Sequence, residues 1–181
     1  ARYFDPAESV GVIRFKDTVL GISICEDAWN DPELWPQRIY GCDPIESLAS
    51  QGAQLMINIS ASPFALGKEQ IRYRLIKNHA RKHRMPFIFV NQVGANDELI
   101  FDGRSMVFDS DGRMIHLLPA FEESVAVLDT SWYRPIDNPL VADECEDLYR
   151  ALTLGIRDYL RKCGFSKAVI GLSGGIDSAV V

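Results

Sequence analysis

Long apolar runs and an excess of positive charge are both missing from this 181-residue chain. No run reaches the roughly 18 consecutive apolar residues that a membrane-spanning helix requires. Lys and Arg number 19 against 25 Asp and Glu, which gives a formal net charge of −6. Because nucleic-acid affinity depends largely on cations that neutralise phosphates, this balance argues against a general nucleic-acid binder. We therefore expect neither a membrane nor a nucleic acid as partner.

The cysteines of this sequence also lack the spacing that is typical of metal ligands. Cys25, Cys42, Cys145 and Cys163 form no Cys-x-x-Cys pair and have no histidine cluster beside them, so a zinc site is not expected. Free thiols in a reducing cytoplasm are the simplest interpretation. The first residues resemble no signal peptide and include no initiating methionine, and we expect a chain that begins within a longer protein.

A loop rich in small residues lies near the end of the chain. It consists of Gly171, Leu172, Ser173, Gly174, Gly175, Ile176, Asp177 and Ser178. The apolar run 167–170 before it predicts a buried strand, and residues 178–181 predict the first turn of a helix. A strand, a glycine loop and a helix in this order direct backbone N–H groups at an anion, so the segment predicts a phosphate-binding loop.

The residue types within this loop suit a nucleotide. Gly174 and Gly175 can take positive φ angles and let a phosphate approach the backbone. Ser173 and Ser178 add hydroxyl donors, and Asp177 is a candidate Mg²⁺ ligand. The loop lacks the lysine of the Gly-x-x-x-x-Gly-Lys-Ser/Thr motif. An ordinary Gly/Ser-rich turn between a strand and a helix remains the alternative.

The rest of the chain alternates strand and helix patterns. Strands are predicted over residues 10–15, 18–24, 55–59, 86–90, 98–101, 104–108, 113–118 and 124–128. Helices are predicted over residues 34–52, 68–84 and, with Asp143 as the cap, 143–162. This order predicts a layered α/β domain over residues 1–130. A proline-punctuated linker over 131–142 then leads to a second domain that begins at residue 143.

Cys25 follows the predicted strand 18–24 directly and precedes Glu26 and Asp27. A sharp turn at a strand end exposes a thiol and leaves a following backbone N–H free for an oxyanion. A thiolate also needs a nearby cation or base, because the pKa of a free cysteine is about 8.5. A cysteine on an apolar strand is usually a packing residue. From the residues alone, both roles remain open.

Several motifs resemble known families. The segment 25–29, Cys-Glu-Asp-Ala-Trp, resembles the nucleophile elbow of the nitrilase, or carbon–nitrogen hydrolase, superfamily, and segments 58–64, 91–94 and 101–105 match it in order. The segment 171–178 resembles the Ser-Gly-Gly-x-Asp-Ser loop of the ATP pyrophosphatases. A nitrilase-type half followed by this loop is similar, over essentially the whole chain, to the family of glutamine-dependent NAD synthetases.

This resemblance implies a fold and a first site. The fold class would be α/β, with the C-terminal half of a nitrilase-like α-β-β-α sandwich, a linker and the first βα unit of a doubly wound ATP-pyrophosphatase domain. Cys25 would be the nucleophile that attacks glutamine, with Ser62 and Lys68 binding that substrate. The partner glutamate and lysine would lie upstream of residue 1, since residues 2–4 resemble the segment after the catalytic lysine. The isolated segment is therefore expected to be inactive.

The resemblance also implies a second site and a ligase reaction. Residues 171–178 would bind ATP with Mg²⁺ on Asp177, and ammonia would amidate adenylated deamido-NAD in a cytoplasmic homo-oligomer. A stand-alone nitrilase-type amidase and a non-catalytic interaction module remain alternatives. For single residues, Ser62 can instead be a turn residue and Lys68 a surface lysine. His79 and His83, four residues apart, are expected on a solvated basic helix face rather than on a metal.

Overall fold

A computed structural model describes residues 5, 7–35, 37, 41–129, 134–136 and 143–181. Most of the predicted linker and residues 2–4 lie outside the described residues. The strands are β1 (Ile13–Phe15), β2 (Thr18–Ile24), β3 (Leu55–Ser60), β4 (Phe87–Asn91), β5 (Val93–Asn96), β6 (Leu99–Asp102), β7 (Met106–Phe108) and β8 (Met114–Leu117). The helices are α1 (Pro44–Ser50), α2 (Lys68–His83), α3 (Glu144–Lys162) and α4 (Ile176–Val180).

One six-stranded sheet, in the order β1-β2-β3-β4-β7-β8, forms the body of the structure. Strands β2, β3 and β4 are parallel, with Ile24 opposite Ile59 and Ser60 opposite Asn91. Their carboxyl ends therefore meet at one edge, which is where open α/β sheets place their sites. Strands β5 and β6 form a separate antiparallel hairpin that packs against α3.

The two faces of the sheet differ in their cover. One face packs its buried side chains, including Met56, Phe89 and Phe108, against α1 and α2. The opposite face is also apolar but open, since Ile24 is 67% and Ile59 53% exposed. A cavity of about 660 Å³ lies on this open face, away from Cys25. One sheet with one helical layer is half of an α-β-β-α sandwich, as predicted.

The predicted helix over 34–52 is wrong in its extent. Helix α1 covers only Pro44–Ser50, and the carboxylate of Asp43 caps it by accepting the Glu46 N–H at 3.0 Å. Proline lacks an N–H and is accepted only in the first turn of a helix, so a helix cannot run through Pro44 from the N-terminal side. By contrast, α2 and α3 match their predictions, and Asp143 caps α3 through the N–H groups of Cys145 and Glu146.

Two predicted strands are wrong, because neither segment pairs with another strand in the described part of the chain. Residues 124–128 and 167–170 form no strand, and Val127 and Val169 are 97% and 100% exposed. Apolar composition alone cannot form a strand without a neighbouring strand to satisfy its backbone groups. The short strand β5, which was not predicted, does have such a neighbour in β6. No helix within the described residues is long and apolar enough to cross a membrane.

Candidate active site

Cys25 occupies a strained turn at the carboxyl end of β2. The chain passes from β2 into a single 3₁₀ turn over Cys25–Ala28, and Cys25 has a φ angle of 49°. A positive φ at a non-glycine residue costs about 1–3 kcal/mol and is concentrated at functional sites. The Asp27 carboxylate accepts the N–H of Ile24 at 2.7 Å and closes the turn. The sharp strand-end turn predicted for Cys25 is therefore present, with the thiol half-buried.

A buried amide holds the backbone of Cys25. The Asn58 side chain is fully buried within β3, and its Nδ2 donates to Ser23 Oγ at 2.9 Å and to the Cys25 carbonyl at 3.3 Å. The Ser60 hydroxyl donates to Asn58 Oδ1 at 2.6 Å. Because buried polar groups are retained only when they are hydrogen-bonded, this set of bonds ties the nucleophile turn to the next strand.

Ser62 lies just beyond the end of β3, beside the end of β4. Its N–H donates to Asn91 Oδ1 at 2.8 Å, while Asn91 Nδ2 donates to the carbonyls of Ser62 and Gly103. Its own hydroxyl is buried and has no hydrogen-bond partner within the described part of the chain. A buried hydroxyl without a partner is costly, so this group is suited to receive a ligand.

Lys68 is a half-buried cation in the first turn of α2. Burial lowers the pKa of its ammonium group below 10.5, and the Arg72 charge lowers it further. The charges of Asp102, Cys25 and Glu26 act in the opposite direction and raise that pKa. Its Nζ lies 5.5 Å from the centre of the Trp29 ring, so the indole also positions the cation.

His79 does not lie on a solvated basic face, and that prediction is wrong. It is 3% exposed, and its Nε2 donates to the Ala28 carbonyl at 2.7 Å, at the end of the turn that holds Cys25. Burial lowers the pKa of His79, because a desolvated site disfavours the charged imidazolium. The signal was available, because residues 72, 75, 76 and 79 follow the spacing of one helix face and contain Leu75 and Ile76.

Glu98 and Asp102, the carboxylates at either end of the β6 region, fall in different environments. Glu98 is exposed at the β5–β6 turn. Asp102 is fully buried, and its Oδ2 lies 2.5 Å from Arg72 Nη2, which is equally inaccessible. An ion pair of this kind has to be intact, since removing one partner leaves an uncompensated buried charge. No pattern in the sequence indicated this pair.

The glycine loop 171–178 is almost entirely exposed. Gly174 takes a φ of 84°, whereas Gly175 has a φ of −87° and precedes α4, which begins two residues earlier than predicted. The Ser178 hydroxyl accepts the Ser173 N–H at 3.1 Å, and the Ser173 hydroxyl accepts the Gly175 N–H at 3.3 Å. The serines thus shape the loop. The Asp177 side chain is open to solvent, and no group of three or more metal-ligating side chains forms within the described ranges.

Comparison with known proteins finds two family models on this chain. The carbon-nitrogen hydrolase model matches residues 2–132, and the NAD synthase model matches residues 148–181. The glutamine-dependent NAD(+) synthetase of Synechocystis sp. is 44% identical over 187 residues, which cover 99% of this chain and 33% of that protein. The chain thus spans about a third of the length of the curated relatives it matches.

Solved structures agree with these matches. The glutamine-dependent NAD+ synthetase of Acinetobacter baumannii, in complex with adenosine diphosphate, is 30% identical with a TM-score of 0.82, over 98% of this chain and 32% of that chain. A carbon-nitrogen hydrolase of Helicobacter pylori is 25% identical with a TM-score of 0.55, over 67% of this chain and 43% of that chain. With its hydrolase match covering most of the sequence, the chain belongs to the carbon-nitrogen hydrolase family.

Proposed function

We propose that the complete protein is a cytoplasmic, homo-oligomeric ligase that makes NAD with glutamine as nitrogen donor. One observation carries this proposal: the same chain matches two family models. The carbon-nitrogen hydrolase match includes the Cys25 turn, and the NAD synthase match follows it. We assign residues 1–130 to the glutaminase domain, 131–142 to a linker and 143–181 to the start of the synthetase domain. The relatives named as glutamine-dependent NAD synthetases match both parts.

In the first half-reaction, the Cys25 thiolate attacks the side-chain amide carbon of glutamine. The carbon–nitrogen bond breaks, ammonia leaves with a proton from a general acid, and water then hydrolyses the thioester to glutamate. The general acid–base carboxylate and the catalytic lysine come from upstream of residue 1. The Lys68 ammonium binds the α-carboxylate of glutamine, and the unpaired hydroxyl of Ser62 offers the substrate a hydrogen bond.

In the second half-reaction, the loop 171–178 binds the phosphates of ATP. The carboxylate of deamido-NAD is adenylated with release of pyrophosphate, and ammonia displaces AMP to form the amide. The exposed Asp177 carboxylate fits Mg²⁺, which neutralises phosphate charge and needs only one or two protein carboxylates beside the substrate phosphates. Ammonia passes between the sites as the neutral molecule, because a charged species crosses apolar protein poorly.

The test is Cys25→Ala in the complete protein, with Cys42→Ala as the control at an exposed cysteine. We expect Cys25→Ala to abolish glutamine-driven NAD formation and to leave ammonia-driven formation within about two-fold of the unmodified enzyme. Loss of both activities would contradict the division of labour between the two sites. Glutamine hydrolysis with no ATP-dependent product in the unmodified protein would favour the stand-alone amidase.

A further inference from the structure

Four charged side chains of alternating sign run from α2, past the end of β6, to α3. They are Arg72, Asp102, Arg104 and Asp147. Asp102 Oδ2 lies 2.5 Å from Arg72 Nη2 and 3.6 Å from Arg104 Nη1. Arg104 Nη2 lies 2.6 Å from each carboxylate oxygen of Asp147. Asp102 thus stands between two arginines, and Arg104 between two aspartates.

This chain of charges is buried throughout, unlike the other ion pairs of α3. Arg72 and Asp102 are inaccessible, Arg104 is 8% exposed and Asp147 is 6% exposed. Their formal charges sum to zero, so removing any single one leaves an unbalanced charge in the interior. By comparison, Arg150 of α3 meets Glu122 at 2.8 Å with side chains that are 33% and 66% exposed.

The Arg72 end of this series of charged side chains reaches the candidate glutamine site. Arg72 follows Lys68 by four residues on α2, so the two side chains share a helix face. The charge of Arg72 lowers the pKa of the Lys68 ammonium, and the charge of Asp102 raises it. The residue after Asp102, Gly103, accepts a hydrogen bond from Asn91 Nδ2 at 3.0 Å, and Asn91 also holds Ser62.

The other end reaches the first turn of α3, the helix over which the NAD synthase match begins. Arg104, two residues after Asp102, has a strained φ of 51°. Helix α3 also contacts strand β5, where Asp158 Oδ2 accepts the Ala95 N–H at 2.9 Å and Lys162 donates to the Ala95 carbonyl. These contacts hold α3 to the hairpin, but they do not involve Asp102 or Arg72.

We propose that Arg104 is a positioning residue that couples the glutamine site to the synthetase domain through Asp102 and Asp147. The proposal rests on the proposed function, since it needs both half-reactions. A displacement of Asp147 on α3 would carry Arg104 with it and so change the contact between Arg104 and Asp102. Glutamine hydrolysis is thereby kept in step with amide formation.

The test uses the double variant Arg104→Gln/Asp147→Asn in the complete protein. It removes one charge of each sign, so the interior stays neutral and the Arg72–Asp102 pair remains. The matched control is Glu122→Gln/Arg150→Gln, which removes the exposed ion pair of the same helix. Each protein is assayed for glutamate released per NAD formed, for ammonia-driven synthesis, and for cooperative thermal unfolding.

We expect the buried double variant to raise the ratio of glutamate to NAD about ten-fold, with ammonia-driven synthesis within two-fold of normal, while the exposed double variant leaves the ratio unchanged. An equal rise in both variants would assign the effect to helix docking alone and overturn the proposal. An unchanged ratio in a folded buried variant would overturn it too.

If the double variant does not fold, Arg104→Lys replaces it, and the same ten-fold rise is expected. A lysine keeps the charge but cannot contact Asp102 and Asp147 together, because it lacks the planar fork of a guanidinium. A normal ratio in Arg104→Lys would then refute the coupling role. An unmodified protein without glutamine-driven synthesis would instead refute the proposed function itself, so the two failures are distinguishable.

Discussion

The most informative single substitution is His79→Phe. His79 joins α2 to the nucleophile turn through one hydrogen bond, 2.7 Å long, to the Ala28 carbonyl. Its ring also stacks on Phe87, at 6.0 Å, and on His83, at 6.1 Å. A phenyl ring retains most of the stacking area but has no N–H, so the substitution chiefly removes the hydrogen bond.

The expected loss of stability follows from burial. Ala28 is 1% exposed, so its carbonyl finds no water to replace the imidazole. Leaving a buried acceptor unpaired costs about 1–3 kcal/mol. A typical domain is stable by about 5–15 kcal/mol, so the variant should fold but unfold at a visibly lower urea concentration.

The pH dependence gives a second readout with a definite sign. Burial lowers the pKa of His79 below 6.5, more than its bond to Ala28 and the charges of Asp31 and Asp43 raise it. Between its folded and unfolded pKa values, the unfolded chain binds more protons, so the free energy of unfolding falls as the pH decreases below about 6.5. His79→Phe should reduce this slope, because phenylalanine does not titrate.

The assay is urea unfolding at pH 7.5 and pH 5.5, with His83→Phe as control. Burial also lowers the pKa of His83, so the control measures the share of the slope that His83 contributes. In the complete protein, thioester formation from glutamine should also slow, since the turn that carries Cys25 loses its anchor. Unchanged stability at pH 7.5 together with an unchanged pH slope would refute this role of His79.

Two further substitutions, each with a matched control variant, test the fold and the site. Gly112→Ala should destabilise by more than about 1–2 kcal/mol, because a φ of 75° is strained for alanine and the new Cβ would lie 2.9 Å from the Lys77 carbonyl oxygen. Gly52→Ala, with a φ of 87° and open space around it, measures the strain alone, and equal losses in urea unfolding would contradict the clash. Lys68→Met should raise the KM for glutamine about ten- to hundred-fold by removing a charged ligand, whereas Lys82→Met, at an exposed ion pair, should not. A normal KM in Lys68→Met would remove that residue from the binding site.

Patterns in the sequence were sufficient where local chemistry decides the structure. Short apolar runs predicted β2, β3 and β4, and the Asp143 cap predicted the start of α3. The order strand, cysteine, carboxylates predicted a sharp turn at Cys25, and its φ of 49° confirms that turn. The roles of Cys25, Ser62, Lys68 and loop 171–178 in catalysis and binding stay predictions.

Tertiary contacts decided the rest, because they join residues far apart in the chain. An apolar run forms a strand only beside another strand, and residues 167–170 pair with no strand among the described residues although their composition suits one. The acceptor for the buried His79 ring is the Ala28 carbonyl, which lies 51 positions earlier in the chain. Arg104 is held by Asp147, 43 positions later, and no spacing rule predicts such a partner. The sequence by itself thus determined most of the individual strands and helices and the turn at Cys25. The buried partners of His79 and Arg104 depend on how those elements pack.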